Sequence, residues 1–427
     1  MVFPFSQKNR SGNKKAVIIG LDGVPYSLLR DYMEQGAMPR FKEIAASGLL
    51  SPMKSTLPEV SSVAWSSFMT GKNPAEHGIF GFMELDRNSY GYVFPNFSSL
   101  RSRTFWEEAD MKTVAFNVPQ TYPARQVNGV LVSGFVALDL EKAVYPRRVY
   151  EYLKNIGYRL DVRSNLAATD PGAFFDDLFL TLEKRMEAIK YLYDHEEWEL
   201  FIGTITETDR LHHFFFDSAR GGAHNPVFLR FYEKLDEFLY QMFKRAEKDG
   251  AVFMTCSDHG FVPIKSEVYV NRFLVENGLL KLSGGEGLAG MTPDSRAFCL
   301  DPARVYIHLK DKYARGCVTA GEYETLRQHV KGLFENMAID GKKVVKKVYL
   351  KEEIFSGPHI NDAPDLYVLG EPGFDMKSNV NRQEVFGLTH FRGAHTYEDA
   401  HVFVSGPGAS DISSIHGIAG ALLSLCR

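Results

Sequence analysis

Three short apolar runs constrain the fold of this 427-residue chain more than any other feature. They are Ala16-Val17-Ile18-Ile19-Gly20-Leu21, Leu200-Phe201-Ile202-Gly203-Thr204-Ile205 and Ala251-Val252-Phe253-Met254-Thr255-Cys256. Each is short, rich in β-branched or aromatic residues and apolar at successive positions, the pattern of a strand buried on both faces. Helical periodicity lies between them. Asp170 to Glu196 carries Phe174, Leu178, Leu182, Met186 and Ile189 on one face, and Pro226 to Lys248 carries Phe228, Phe231, Leu235, Leu239 and Phe243. Pro226 stands where a first helical turn tolerates proline. Strands alternating with helices predict an α/β fold, a doubly wound and mostly parallel sheet with helices on both faces.

The texture changes between Val268 and Leu369. Leu279 to Leu282, Val305 to Leu309 and Val344 to Leu350 read as short strands, with a helix from Gly321 to Phe334 and a loop at Gly284-Gly285-Glu286-Gly287. Residues 268–369 are therefore expected to form an inserted α+β cap. Residues 15–267 and 370–427 would make the core, after a flexible segment at 1–14. The chain returns to the core with Ala400 to Val404 and a last helix from Ile412 to Leu425.

Composition excludes several classes of function. With 44% hydrophobic and 24% charged residues the chain reads as globular rather than disordered. A net charge of -4 gives no footprint for nucleic acid or an anionic membrane. The four cysteines are scattered without a CxxC pair, so neither a disulfide framework nor a thiolate zinc site is indicated. The first residues lack the apolar stretch of a signal peptide, and no run of eighteen apolar residues occurs. The expectation is a cytoplasmic protein with no membrane span and no nucleic-acid partner.

The acids and histidines fall in an informative pattern. Asp22 follows the first strand directly, Asp209 comes four residues after Ile205, and Asp258-His259 follows the third strand after one serine. Ligands of open parallel sheets bind outside the carboxyl ends of the strands. Three strands thus deliver carboxylates to one edge. Asp22 alone would read as an ordinary Asp-Gly turn. Asp209 and His213 are four apart and share a helix face, so both can bind one ion, with His212 as the rival. A further histidine must come from the C-terminal part, where His390, His395, His401 and His416 compete. His395 lies in a loop just ahead of a strand.

Carboxylate and imidazole ligands without cysteine suit zinc, manganese or iron. Two such ions a few ångström apart clamp a phosphoryl group for in-line displacement. The candidate nucleophile lies in Leu57-Pro58-Glu59-Val60-Ser61-Ser62, a loop running into a helix that stops at Gly71. A serine at a helix start faces free backbone N–H groups able to hold a phosphate oxygen. The plain alternative is that Ser61 or Ser62 caps the helix.

Taken in order, these stretches resemble the type I phosphodiesterase and nucleotide pyrophosphatase branch of the alkaline phosphatase superfamily. Within it they resemble the predicted phosphohydrolase/phosphomutase proteins. The resemblance is carried by Gly20-Leu21-Asp22-Gly23, by Trp65 through Thr70-Gly71 to Pro74-Ala75-Glu76-His77-Gly78-Ile79, by Glu207-Thr208-Asp209-Arg210 with His213, by Ser257-Asp258-His259-Gly260 and by Gly393-Ala394-His395. It spans nearly the whole chain.

The resemblance implies an alkaline phosphatase-like core and two divalent ions, zinc or alternatively manganese. Asp22, Ser61, Asp258 and His259 would surround one ion, and Asp209, His213 and His395 the other. Ser61, nine residues before Thr70, falls where the family places its nucleophile. The implied reaction is hydrolysis of a small phosphorylated substrate, a phosphodiester, through a phosphoserine. A phosphomonoesterase or phosphomutase is the alternative within the superfamily, and a catalytically silent binding protein the alternative outside it. Phe82 stands where the nucleotide pyrophosphatases carry an asparagine that contacts phosphate, which speaks against nucleotide substrates. Sulfatases need Pro two and Arg four residues after the nucleophile. Ser61 is followed there by Val63 and Trp65, which disfavours that sister group. Phe82, Phe214 and Arg210 are the substrate-side candidates. Of the run Phe214-Phe215-Phe216, at least one ring must belong to the core, because three successive residues cannot face one way on a helix.

Overall fold

The computed structural model describes residues 14–284, 287–406 and 412–426. The segment expected to be flexible lies outside them, except for Lys14, and so do Gly285 and Glu286 of the glycine-rich loop. The central sheet has eight strands: β1 (Ala16–Leu21), β2 (Gly48–Met53), β3 (Thr113–Val118), β4 (Gly129–Ser133), β5 (Val144–Tyr145), β6 (Leu200–Ile205), β7 (Val252–Cys256) and β8 (Ala400–Ser405). Their order across the sheet is β2-β8-β7-β1-β6-β3-β4-β5. The inner strands β7, β1, β6, β3 and β4 run parallel. Strand β8 is antiparallel to both β7 and β2, and β5 is antiparallel to β4.

The apolar runs form these strands because both faces of the sheet are covered. Val17, Ile19 and Leu21 of β1 face one way, into a core shared with the helices Pro171–His195 and Asn225–Lys248. Ala16 and Ile18 alternate to the other face, against Trp65 and Phe68 of the helix Ser61–Thr70 and Ile418 and Leu422 of the last helix, Gly417–Leu425. The register pairs Leu21 of β1 with Ile205 of β6 and Gly20 of β1 with Cys256 of β7. The three apolar runs therefore end level with one another, and the residues after them share one edge.

A second sheet is antiparallel, in the order Ala297–Leu300, Arg304–Ile307, Leu366–Gly370, Val345–Leu350. The helix Ala320–Glu335 packs on it, around a separate apolar cluster. Two expectations fail locally. Leu279 to Leu282 is not a strand: the amides of Leu279 and Leu280 bond Leu274 O, so this stretch finishes the helix Val270–Glu276 after the left-handed Gly278. The last helix starts at Gly417 rather than Ile412, because Ser413 to Ile415 exchange backbone hydrogen bonds with Lys54.

Candidate active site

Asp22 stands at the end of β1, where Gly23 turns the chain with φ +65°. A Cβ at Gly23 would lie 2.4 Å from the Phe261 ring, so only glycine fits. The Gly23 amide donates to Asp258 Oδ1 at 2.9 Å, and the Thr208 hydroxyl donates to Asp22 O at 2.6 Å. These bonds tie the ends of β1, β7 and β6 together. The helix Glu207–Phe215 follows β6 and carries Asp209 and His213 one turn apart. Its first residue, Glu207, is locked by the fully buried Arg185, which donates from Nε at 3.0 Å and from Nη2 at 2.7 Å. His395 arrives on a short antiparallel pair, Gly260–Pro263 with Gly393–Thr396, in which it sits opposite Phe261.

The seven residues expected around the two ions converge. Ligand atoms of Asp22, Asp258 and His259 lie within 4.8 Å of one another, and so do those of Asp209, His259 and His395. His213 Nε2 is 3.3 Å from Asp209 Oδ1 and 3.0 Å from His395 Nε2. His259 lies between the two groups, its ring stacked on His395 at 3.5 Å. Ser61 Oγ is 3.2 Å from His259 Nε2 and 3.4 Å from Asp22 Oδ1.

Each carboxylate uses one oxygen to hold itself and turns the other inward. Asp22 Oδ2 accepts from Trp65 Nε1 at 3.2 Å, Asp258 Oδ1 from Gly23, and Asp209 Oδ2 from Arg210 Nη1 at 3.0 Å. The remaining Asp258 Oδ2 and Asp209 Oδ1 are buried without a hydrogen-bond partner. Orphaned carboxylate oxygens are costly in a protein interior, and a cation satisfies them. The histidines are oriented to match. His259 Nδ1 donates to Gly260 O at 3.2 Å and His395 Nδ1 to Glu59 O at 2.8 Å, which turns each Nε2 towards the carboxylates. This donor set fits two divalent ions.

The electrostatics suit metal ligation at most of these groups; His395 is the exception, where burial is outweighed by Asp209 and the Glu59 carbonyl and the pKa is raised. Burial, with Asp258 and Asp209 close by, pushes the Asp22 carboxyl well above the usual range. Three acids thus share one desolvated space with too little positive charge. Burial opposes ionisation of Asp209 too, but the neighbouring His213, Arg210 and His395 outweigh it and hold that carboxyl well below its ordinary value. Burial keeps His259 neutral, with its pKa lowered to about 4, and lowers His213 in the same way. Neutral imidazole is the form that ligates a metal.

Ser61 is the first residue of its helix. The N-cap is Val60, extended and without a capping side chain, so neither serine caps this helix. The Ser62 hydroxyl is buried with no hydrogen-bond partner and makes no bond to the cluster. His212 is occupied elsewhere: Nδ1 donates to Gly23 O and Nε2 accepts from Tyr232. His401 bonds Val24 O and Thr255, while His390 packs on Phe214 and Phe391. His416 precedes the last helix.

A cavity of about 480 Å³ opens beside the cluster, lined in part by Phe82, His213, Tyr367, Phe374, Phe391 and His395. Phe82 packs edge-on against Phe135. Phe214 does not line this cavity. One residue along the helix from His213, it points into a cluster with Phe174, His390 and Phe391. Arg210 does not line it either; its donors go to Asp161 and Asp209. Trp65 joins the site as well: it is four residues from Ser61, and that spacing places both on the helix face that meets Asp22.

A mostly parallel sheet with acids and histidines gathered beyond its strand ends is an alkaline phosphatase-like α/β fold. The sequence profile described as type I phosphodiesterase / nucleotide pyrophosphatase matches residues 16–398, and the chain belongs to this family of phosphoric ester hydrolases. Among solved structures it resembles phosphonoacetate hydrolase from Sinorhizobium meliloti 1021 in complex with phosphonoformate, with a TM-score of 0.66 and 17% identity over 97% of this chain and 96% of that one. It also resembles murine ectonucleotide pyrophosphatase / phosphodiesterase 5, with a TM-score of 0.55 and 13% identity over 97% and 95% of the two chains. The human protein of that name gives 0.58 and 12% over the same shares. No curated protein matches the chain in sequence. Among the described residues, no helix is long and apolar enough to cross a membrane.

Proposed function

We propose that this chain hydrolyses a phosphodiester through a phosphoserine at Ser61, beside two divalent ions, zinc or manganese. The observation that carries the reading is the position of Ser61 Oγ, at 3.2 Å from His259 Nε2 and 3.4 Å from Asp22 Oδ1 at the common strand ends. Asp22, Asp258, His259 and Ser61 would hold one ion, and Asp209, His213 and His395 the other. When bound, such ions neutralise the phosphate and acidify the hydroxyl and water that attack it.

The chain's own groups position the reaction. Ser61 lies in the first turn of its helix, where unsatisfied N–H groups and the helix dipole favour a phosphate oxygen. Trp65 and Thr208 fix Asp22, so Ser61 meets a rigid edge. Ser61 Oγ gives up its proton to solvent and forms the new bond to phosphorus as the ester bond to the leaving oxygen breaks, and the leaving group departs into the neighbouring cavity. Water then displaces Ser61 from phosphorus and releases a phosphomonoester.

The test is hydrolysis of bis-p-nitrophenyl phosphate and p-nitrophenyl phosphate, side by side, by wild type and Ser61→Ala, with zinc and then manganese. Diester cleavage lost by at least about a thousandfold in the variant supports both nucleophile and substrate class. Activity confined to the monoester moves the reading to a phosphatase or mutase. No activity on either ester in metal-loaded protein defeats the proposal.

A further inference from the structure

We infer that Arg210 is a positioning residue that fixes Asp209 so that one oxygen alone faces the ion held with His213 and His395. This rests on the two-ion reading above. The guanidinium is held at both edges and on one face. Nη1 donates to Asp209 Oδ2 at 3.0 Å, while Nε donates to Asp161 Oδ1 at 3.0 Å and Nη2 to Asp161 Oδ2 at 2.7 Å. The face of the group lies 4.2 Å over the Phe135 ring, and Phe82 closes on that ring from the side. The Arg210 side chain is only 12% exposed. A planar fork pinned at both edges and on one face has one orientation.

Asp209 is thereby denied its own freedom. Its Oδ2 is committed to Arg210, and Oδ1, which has no hydrogen-bond partner, is left 3.3 Å from His213 Nε2 and 3.5 Å from His395 Nε2. Arg210 also supplies positive charge next to a space holding Asp22, Asp209 and Asp258. Its partner Asp161 belongs to a segment that is itself anchored, since Arg185 donates to Leu160 O at 3.1 Å and to the Tyr158 hydroxyl while gripping Glu207. Two arginines therefore dock the helix that carries Asp209 and His213. A substrate contact fits poorly. Three donor directions of Arg210 are consumed, and the side chain does not line the cavity.

Calorimetric titration of the chelator-stripped full chain with Zn²⁺ tests this. Wild type is expected to take up two ions. Arg210→Met should weaken one binding event by about 10- to 100-fold and leave the other within about twofold. Asp209→Asn should weaken that same event. Arg210→Lys should recover only part of the loss, because an ammonium cannot bridge Asp161 and Asp209 as a fork. At saturating zinc, KM for bis-p-nitrophenyl phosphate should change by less than about threefold. Two unchanged zinc affinities with a raised KM would overturn the inference and make Arg210 a substrate contact. Wild type binding fewer than two ions would instead defeat the two-ion reading itself. Should Arg210→Met not fold, the double variant Arg210→Met, Asp161→Asn removes the stranded carboxylate, and the same weakening is expected of it.

Discussion

Tyr367, on the second sheet, donates its hydroxyl hydrogen to Glu59 Oε2 at 2.5 Å, and Glu59 stands two residues ahead of Ser61. The backbone oxygen of Glu59 in turn accepts from His395 Nδ1. One bond from the second sheet therefore braces both the loop ahead of Ser61 and a histidine of the cluster. Tyr367→Phe removes the donor and leaves the Glu59 carboxylate short of a partner, at a cost of about 1–3 kcal/mol. Urea denaturation should show that loss, and kcat on the diester should fall with zinc stoichiometry unchanged. Equal stability and equal kcat would show that the brace is idle.

Chelation should destabilise the fold. Asp258 Oδ2 and Asp209 Oδ1 are buried without hydrogen-bond partners, and Asp22 shares their space. A cation bound only by the native state adds about 2.7 kcal/mol when its free concentration is 100 times Kd. The melting temperature of zinc-loaded protein should therefore drop on adding a chelator and return on adding zinc. Asp258→Asn should shrink the drop. A melting temperature indifferent to chelation, in protein first shown to hold zinc, would contradict the placement of the ions.

Much of this arrangement was legible in the sequence, for a definite reason. Strands β1, β6 and β7 are continuous apolar runs that must pair side by side, so the acids after them had to meet at one edge. Asp209 and His213 were readable because a helix turn is a local rule. What escaped were contacts without local pattern. Arg210 and Asp161 are 49 positions apart, and Tyr367 and Glu59 are 308 apart. No periodicity announces either pair. Adjacency in sequence is no guide at Phe214 either: its neighbour His213 faces the cluster, and on a helix the next residue turns about 100° away.

Phe82 gives the cavity its character. It lines the space beside His213 and His395 and packs on Phe135, with centroids 5.3 Å apart. Phe82→Ala removes apolar area that an aryl leaving group covers, worth about 1.5 kcal/mol, or roughly tenfold. kcat/KM for bis-p-nitrophenyl phosphate and for methyl p-nitrophenyl phosphate should both fall by about that factor, because the two diesters expel the same p-nitrophenolate. A loss on the first diester alone would place the leaving group elsewhere and the non-leaving aryl group against Phe82.

Acid should unfold the protein through histidines outside the Asp-His cluster. Burial lowers His77 to about 3 and His401 to about 4. His77 Nδ1 accepts from the Ile79 amide at 3.2 Å, so Nε2 carries the hydrogen and donates to the Ser67 hydroxyl at 2.9 Å. Protonating Nδ1 would set one donor against another. In the unfolded chain these histidines titrate near 6.5. Between that value and the depressed folded one, the unfolded state binds more protons, so stability is full above about pH 6.5 and falls as the pH drops. Each such group contributes a slope of at most about 1.4 kcal/mol per pH unit. His77→Gln keeps a donor and an acceptor but cannot titrate. In chelator-treated protein, to remove metal release from the comparison, its stability between pH 6 and pH 4 should decline less steeply than wild type by about that slope. Parallel curves for the two proteins would mean that His77 is already charged in the fold.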